Sequence, residues 1–195
     1  MVTNAEPLSR PLFGGSFSAI IPPHSIDVSD IREIPDNQEV FVHSGTDQSI
    51  VIELLEHQIQ VPDQEAARYH FADITSSNDA TGVEGTEIFS VEPFGGDQIA
   101  LQDPSSAWFL SGRQQVAKFN EQARNTVMIH LALFRLPQYS TDILITFNDP
   151  TVISPFSSST VAMGESSSSP VQPWTLEQFR ATVQSFRLLD PAIFS

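Results

Sequence analysis

The sequence predicts an α+β fold, a mostly antiparallel β-sheet flanked by helices, and three observations predict it. Short apolar segments with a period of two outnumber those with a helical period. Several of the connections between them are shorter than the roughly dozen residues that a parallel crossover needs. Near-unbroken apolarity over residues 126–136 requires cover on both faces, as only an interior strand receives.

Residues 1–10, MVTNAEPLSR, show no periodicity and are expected to form a flexible N-terminus, with residues 11–195 as a single domain. Residues 16–21 predict a strand, stopped by Pro22 and Pro23. Residues 39–43 and 49–56 predict two more, joined by a turn-like Ser44-Gly45-Thr46-Asp47. Val40 and Val42, then Ile50, Ile52 and Leu54, keep the alternation of half-buried strands. A helix is expected after Pro62, with Asp63 as its cap and Ala66, Ala67, Tyr69, His70 and Ile74 as its apolar stripe. Residues 86–91, 107–112 and 126–136 predict strands, the last of them central. Residues 114–122 fit either a strand continuation or a short helix. Residues 142–147, with β-branched Ile143 and Ile145, predict a further strand.

Residues 150–173 change character, with eight serines between Ser154 and Ser169 and four prolines around them. A Ser/Pro-rich mobile loop is expected there, because such a composition buries too little apolar surface to offset its ordering entropy. Helical periodicity resumes in WTLEQFRATVQSFRLLD, where Trp174, Leu176, Phe179, Val183 and Phe186 share a face. Thr175 and Gln178 have the spacing of a capping box. The helix is expected to stop before Pro191, with Ile193 and Phe194 pinning the end into the core. The two Phe-Gly-Gly sequences, at Phe13 and Phe94, predict turns.

Composition narrows function. The chain has no cysteine, which removes thiolate catalysis and cysteine-ligated zinc. Its 24 acids against 9 bases give a net charge of −15, the wrong sign for a nucleic-acid binder. The apolar run at 12–26 is broken by glycines and prolines, so direct membrane insertion is not expected. The single lysine, Lys118, lies in no phosphate-binding glycine loop, and Gly14-Gly15-Ser16 lacks the trailing glycine of a nucleophile elbow. His24, His43, His57, His70 and His130 have no paired helical spacing for a metal. His43 and His57 can meet across adjacent strands, although core or surface histidines are the simpler reading. No catalytic residue, cofactor or metal is expected.

Charge distribution says more. Between Asp27 and Glu56 lie eight acids and one base, Arg32, a net −7. A solubilising face accounts for this, and so does a docking face that steers a basic partner. Composition leaves the two open.

The acidic segments also carry a resemblance. PLFGGSFSAIIP, IDVSDIREIPDNQEVFVH and DQSIVIELLE are similar to the N-terminal half of the Ran guanine-nucleotide release factor (Mog-one) family, vertebrate members in particular. ARYHFADI, AWFLSGRQQVAKFN, LALFRLPQYSTDILITFNDP and the closing DPAIF follow in the family's order, so that 11–149 and 173–194 are covered. The resemblance implies an α/β/α sandwich of the Mog-one/PsbP type and a monomer without cofactor or covalent chemistry. It implies binding to the GTPase Ran, promotion of nucleotide release, support of nuclear protein import, and residence in nucleus and cytoplasm. For vertebrate members it further implies delivery of the cardiac voltage-gated sodium channel to the cell surface, with a peripheral plasma-membrane location through that partner. The alternative is an acidic adaptor without effect on exchange. The family's Pro-Asp-x-x-Glu pair falls here on Asp36 and Glu39; Asp27 and Arg32 match preceding positions, Asp30 and Glu33 lie in a stretch that varies, and Glu53 follows on a strand. Asp36 also fits a turn residue after Pro35, and Arg32 a bridge between neighbouring acids.

Overall fold

The computed structural model describes residues 8–78, 85–117, 124–152 and 171–195. Its main body is a seven-stranded antiparallel sheet in the order β3-β4-β5-β9-β8-β7-β6. These strands are β3 (Ser25–Asp27), β4 (Gln38–His43), β5 (Ser49–Glu56), β6 (Thr86–Pro93), β7 (Ser106–Ala117), β8 (Arg124–Leu136) and β9 (Thr141–Val152). A second sheet, β1-β2-β10, joins β1 (Ser9–Leu12) and β2 (Phe17–Ile20) to β10 (Arg187–Leu188). Helix α1 (Asp63–Ser77) covers one face of the large sheet; helix α2 (Leu176–Ser185) and the small sheet cover the other.

Strand β8 explains the layering. Leu131 and Leu133 point to the α1 side, where they meet Ala66, Ala67 and Phe71, while Ala132 and Phe134 point to the α2 side. Both faces are buried, as the continuous apolarity requires. On the α2 side the core is aromatic: Phe179 lies 5.4 Å from Phe147 and 6.0 Å from Phe109, and Phe186 stacks on Phe17 at 5.0 Å. The expected cap of α2 is present, with Thr175 Oγ1 accepting from Gln178 N at 3.2 Å and Gln178 Oε1 from Thr175 N at 2.9 Å. Phe194 closes the same core against Phe17 and Tyr139.

Several expectations need correction. Strand β1 begins at Ser9, inside the segment expected to lack structure, and pairs with β2 from Ser9↔Ile20 onward. Asp63 does not cap α1: the carbonyl of Pro62 accepts from Glu65 N, and the Asp63 carboxylate turns to Arg135 at 2.8 Å, a buried cation being the stronger claimant. Phe71, not Tyr69, lies in the buried stripe of α1, and Tyr69 is exposed. The C-terminal helix ends at Ser185, because Phe186 takes an extended conformation to bury its ring and Arg187–Leu188 pair with β2. Of the ambiguous stretch 114–122, residues up to Ala117 continue β7; 118–123 lie outside the described residues. So does 153–170 of the expected loop; residues 150–152, expected at its start, instead end β9, because β8 extends far enough to pair with them, and Trp174 beyond the loop is buried. His43 and His57 do not meet: His43 Nε2 donates to the Gln172 carbonyl at 2.9 Å, and His57 turns to Asp142.

Candidate functional site

The acids expected at the site lie mainly between β3 and β4. This connection is built from its ends. Asp27, at the end of β3, caps a tight turn by accepting from Ser29 N at 3.0 Å and Ser29 Oγ at 2.6 Å. Its other oxygen takes Arg10 Nη2 at 3.0 Å, and the Arg10 guanidinium lies 5.0 Å over the Phe41 ring. Asp27 is thus fully engaged within the chain. Val28 is buried and anchors the turn, its carbonyl accepting from both Ile31 N and Arg32 N at 3.0 Å. At the far end Gln38 N donates to Pro35 O at 3.0 Å, and Asn37 is tied to Leu54 through backbone and side chain. That is a turn around Asp36, as its position after Pro35 suggested.

Between these anchors Asp30, Arg32, Glu33 and Asp36 are exposed. Among the described residues Arg32 forms no ion pair, so it does not bridge the neighbouring acids. Ile31 stands among these charges at 69% exposure. The loop and the Phe13–Gly15 turn together border a cleft of about 420 Å³, with Glu39 among the residues that line it. Glu39 is half-buried, and its carboxylate accepts the backbone N–H of Phe13. Burial pushes its pKa up and the charge of Asp27 adds to that; the Phe13 amide and the Arg10 cation act against it.

Glu53 belongs elsewhere. Glu39 pairs with Ile52, whereas Glu53 pairs with Gln38, so alternation puts the two acids on opposite faces of the sheet. Glu53 accepts from Gln38 Nε2 at 2.8 Å and feels His70 and Asp73 of α1. Burial raises its pKa as well. The structure therefore brings Arg32, Glu33, Asp36 and Glu39 to one cleft, leaves Asp30 exposed in the same loop outside its lining, holds Asp27 in an ion pair nearby, and leaves Glu53 apart.

Residues 10–150 match the family model described as Ran-interacting Mog1 protein. The chain belongs to this Mog1 family. It is 55% identical over 187 residues to a Danio rerio protein named Ran guanine nucleotide release factor, covering 96% of this chain and 100% of that one. The Homo sapiens protein of the same name is 49% identical, with 94% and 95% covered. A Saccharomyces cerevisiae protein named nuclear import protein MOG1 is 32% identical over 71% of this chain and 64% of its own. The crystal structure of the S. cerevisiae Ran-binding protein Mog1p superposes with a TM-score of 0.68 at 24% identity, over 96% of this chain and 98% of that one, which establishes a shared fold.

Two features of this Mog1-family surface escaped sequence reasoning. One is Ile31, 69% exposed in the loop, for which an isolated isoleucine between an aspartate and an arginine was the visible signal. The other is the Phe13–Gly15 turn, which only tertiary structure brings to Glu39. A separate cluster of charged side chains lies outside the cleft. Asp142, fully buried, accepts from His57 Nδ1 at 2.7 Å, His70 Nε2 at 3.1 Å and Arg135 Nε at 3.2 Å. Arg135 also donates to the carbonyls of Gln58 and Val61 and to Asp63, stitching the 57–63 connection and α1 to β8 and β9. Burial would raise the Asp142 pKa, but hydrogen bonds from His70 and His57 and the charge of Arg135 hold it down to about 2. His57, His70 and Arg135 all meet the one Asp142 carboxylate, and the remaining Arg135 donors are taken by Gln58, Val61 and Asp63, so the cluster is structural.

Proposed function

We propose that this protein binds the small GTPase Ran through the acid-lined cleft and promotes release of its guanine nucleotide, in support of nuclear protein import. The observation that carries the proposal is the near full-length identity of 55% to a protein named Ran guanine nucleotide release factor. The cleft supplies a physical means. Asp30, Glu33 and Asp36 are exposed and free to meet a basic surface, and Ile31 offers an apolar contact at their centre. Nucleotide and magnesium are held on a GTPase by a lysine, backbone amides and mobile switch segments. A surface that binds the nucleotide-free conformation more tightly than the loaded one shifts the population toward release, without covalent chemistry of its own. Residues 11–195 act in this as one unit, a reading supported by a core that takes in Leu12 and Phe17 together with Phe186 and Phe194. Action in nucleus and cytoplasm accords with the name of the yeast relative, nuclear import protein. Among the described residues no helix is long and apolar enough to cross a membrane. Delivery of a sodium channel, which the family resemblance alone suggests, is a separate property.

The test is release of a labelled nucleotide from Ran at two salt concentrations. Reversal of Glu33 and Asp36 to lysine is expected to weaken binding by at least about tenfold, while reversal of the exposed Asp97 and Asp103 costs less, since rim charges far from a contact matter little. A folded Glu33→Lys/Asp36→Lys protein that releases nucleotide as fast as wild type would remove the cleft from the mechanism.

A further inference from the structure

We infer that Glu39 is a positioning residue: it fixes the left-handed Phe13–Gly15 turn as a wall of the cleft and is not one of the charges that Ran meets. This rests on the docking role proposed above. Three consecutive residues have positive φ, Phe13 at 50°, Gly14 at 66° and Gly15 at 93°. Glycine tolerates this; phenylalanine does so at a cost, and such a conformation persists only where its surroundings over-determine it.

The surroundings are on hand. The Phe13 ring packs edge-on against Phe17 at 5.7 Å, and the Phe13 carbonyl accepts from Ser16 N at 3.3 Å. The remaining polar group, the Phe13 N–H, is taken by Glu39 from β4, 26 residues away in sequence. Glu39 projects to the α2 side of β4, opposite Ile52, which is the side on which the turn sits. It is half-buried there, whereas Glu33 and Asp36 line the cleft as exposed residues. Its charged neighbours, Asp27 and Arg10, are already paired with each other. A carboxylate that spends an oxygen on a backbone amide under a strained turn is placed to shape the cleft. The exposed acids are placed to attract.

The two roles separate by substitution. Glu39→Gln keeps an acceptor oxygen for Phe13 and removes the charge; Glu39→Ala removes both. Gly15→Ala changes no charge, and its Cβ meets nothing within 4 Å, but it disfavours the positive φ. Asp36→Asn reports on a contact charge. Ran binding is measured for all four at two salt concentrations, together with hydrogen exchange of the Phe13 amide in the protein without partner. Expected are a change within about threefold for Glu39→Gln and losses of about tenfold for Glu39→Ala and Gly15→Ala, all with the salt dependence of wild type. Asp36→Asn is expected to flatten the salt dependence. Phe13 exchange should be slow in wild type and Glu39→Gln and fast in Glu39→Ala.

Glu39→Gln as damaging as Glu39→Ala, with a salt dependence flattened like that of Asp36→Asn, would overturn the inference. Should Glu39→Ala not fold, Glu39→Gln and Gly15→Ala still decide it. If neither Asp36→Asn nor the Glu33→Lys/Asp36→Lys protein alters Ran binding, the docking role of the cleft fails instead. Phe13 exchange unchanged in a folded Glu39→Ala would overturn the positioning claim independently of Ran.

Discussion

Asp142→Asn is the most informative perturbation of the fold, and its magnitude follows from the cluster around it. Asp142 is fully buried and is the carboxylate for His57, His70 and Arg135, the last only 1% exposed. Its pKa is held at about 2, from an ordinary 3.8. A shift of that size corresponds to about 2–3 kcal/mol of stability at neutral pH. Removing the charge does more than forfeit this, because Arg135 stays buried with only Asp63 as a counter-charge; breaking such a pair typically costs about 3–5 kcal/mol. An asparagine oxygen still accepts one of the three side-chain donors, so the lower end is expected, about 3 kcal/mol, or a fall in Tm of about 6–12 °C for a chain of this length. Sign and window follow from the direction of the shift. A depressed carboxylate pKa stabilises the fold fully above the unfolded value and loses that contribution as pH falls through the folded one. The gap between wild type and Asp142→Asn in urea unfolding should therefore be constant from about pH 7 to pH 5 and narrow between about pH 4 and pH 2. Coincident urea midpoints at pH 7, or a gap indifferent to acid, would refute the account.

Phe179→Asp should lose at least about 3 kcal/mol, because it buries an unpaired charge and removes a ring that touches both Phe109 and Phe147; equal melting temperatures would show the face to be wrongly assigned. Gly112→Ala should cost about 1–3 kcal/mol, since its Cβ would fall 2.6 Å from the Glu87 carbonyl oxygen and 2.9 Å from the Phe71 ring. Part of that loss should return in Gly112→Ala/Phe71→Leu, and a double-mutant cycle reads the recovery.

What was legible in the sequence was what short-range physics decides. Strand β5 came out with its observed ends because alternation is a property of the strand itself, and the Thr175–Gln178 box because its partners lie one turn apart. The end of α2 was misplaced because its last apolar residues are helix-compatible, and only the distant Phe17 makes an extended Phe186 the better choice. At the candidate site the exposed acids were legible as charge density. Their division was not: Glu39 and Glu53 part company through the register of β4 on β5, which the intervening turn sets and composition does not reveal. The Asp142 cluster joins residues from three parts of the chain, His57 lying 85 positions from the aspartate and His70 lying 72.

The small sheet has a kinetic consequence. Strand β2 carries the buried Phe17, beside the turn that walls the cleft, and its second neighbour is β10. The bond from Ile20 N to Ser185 Oγ spans 165 residues. A ribosome adding about 5–20 residues per second needs roughly ten to thirty seconds to cover that distance. Throughout that interval Phe17 has no Phe186 to stack on, and the edge of β2 is open to any extended segment that passes. Closing so long a loop is also the entropically costly step of the fold, so it belongs late on the pathway. A nascent chain therefore displays the acids well before it has a finished cleft in which to present them.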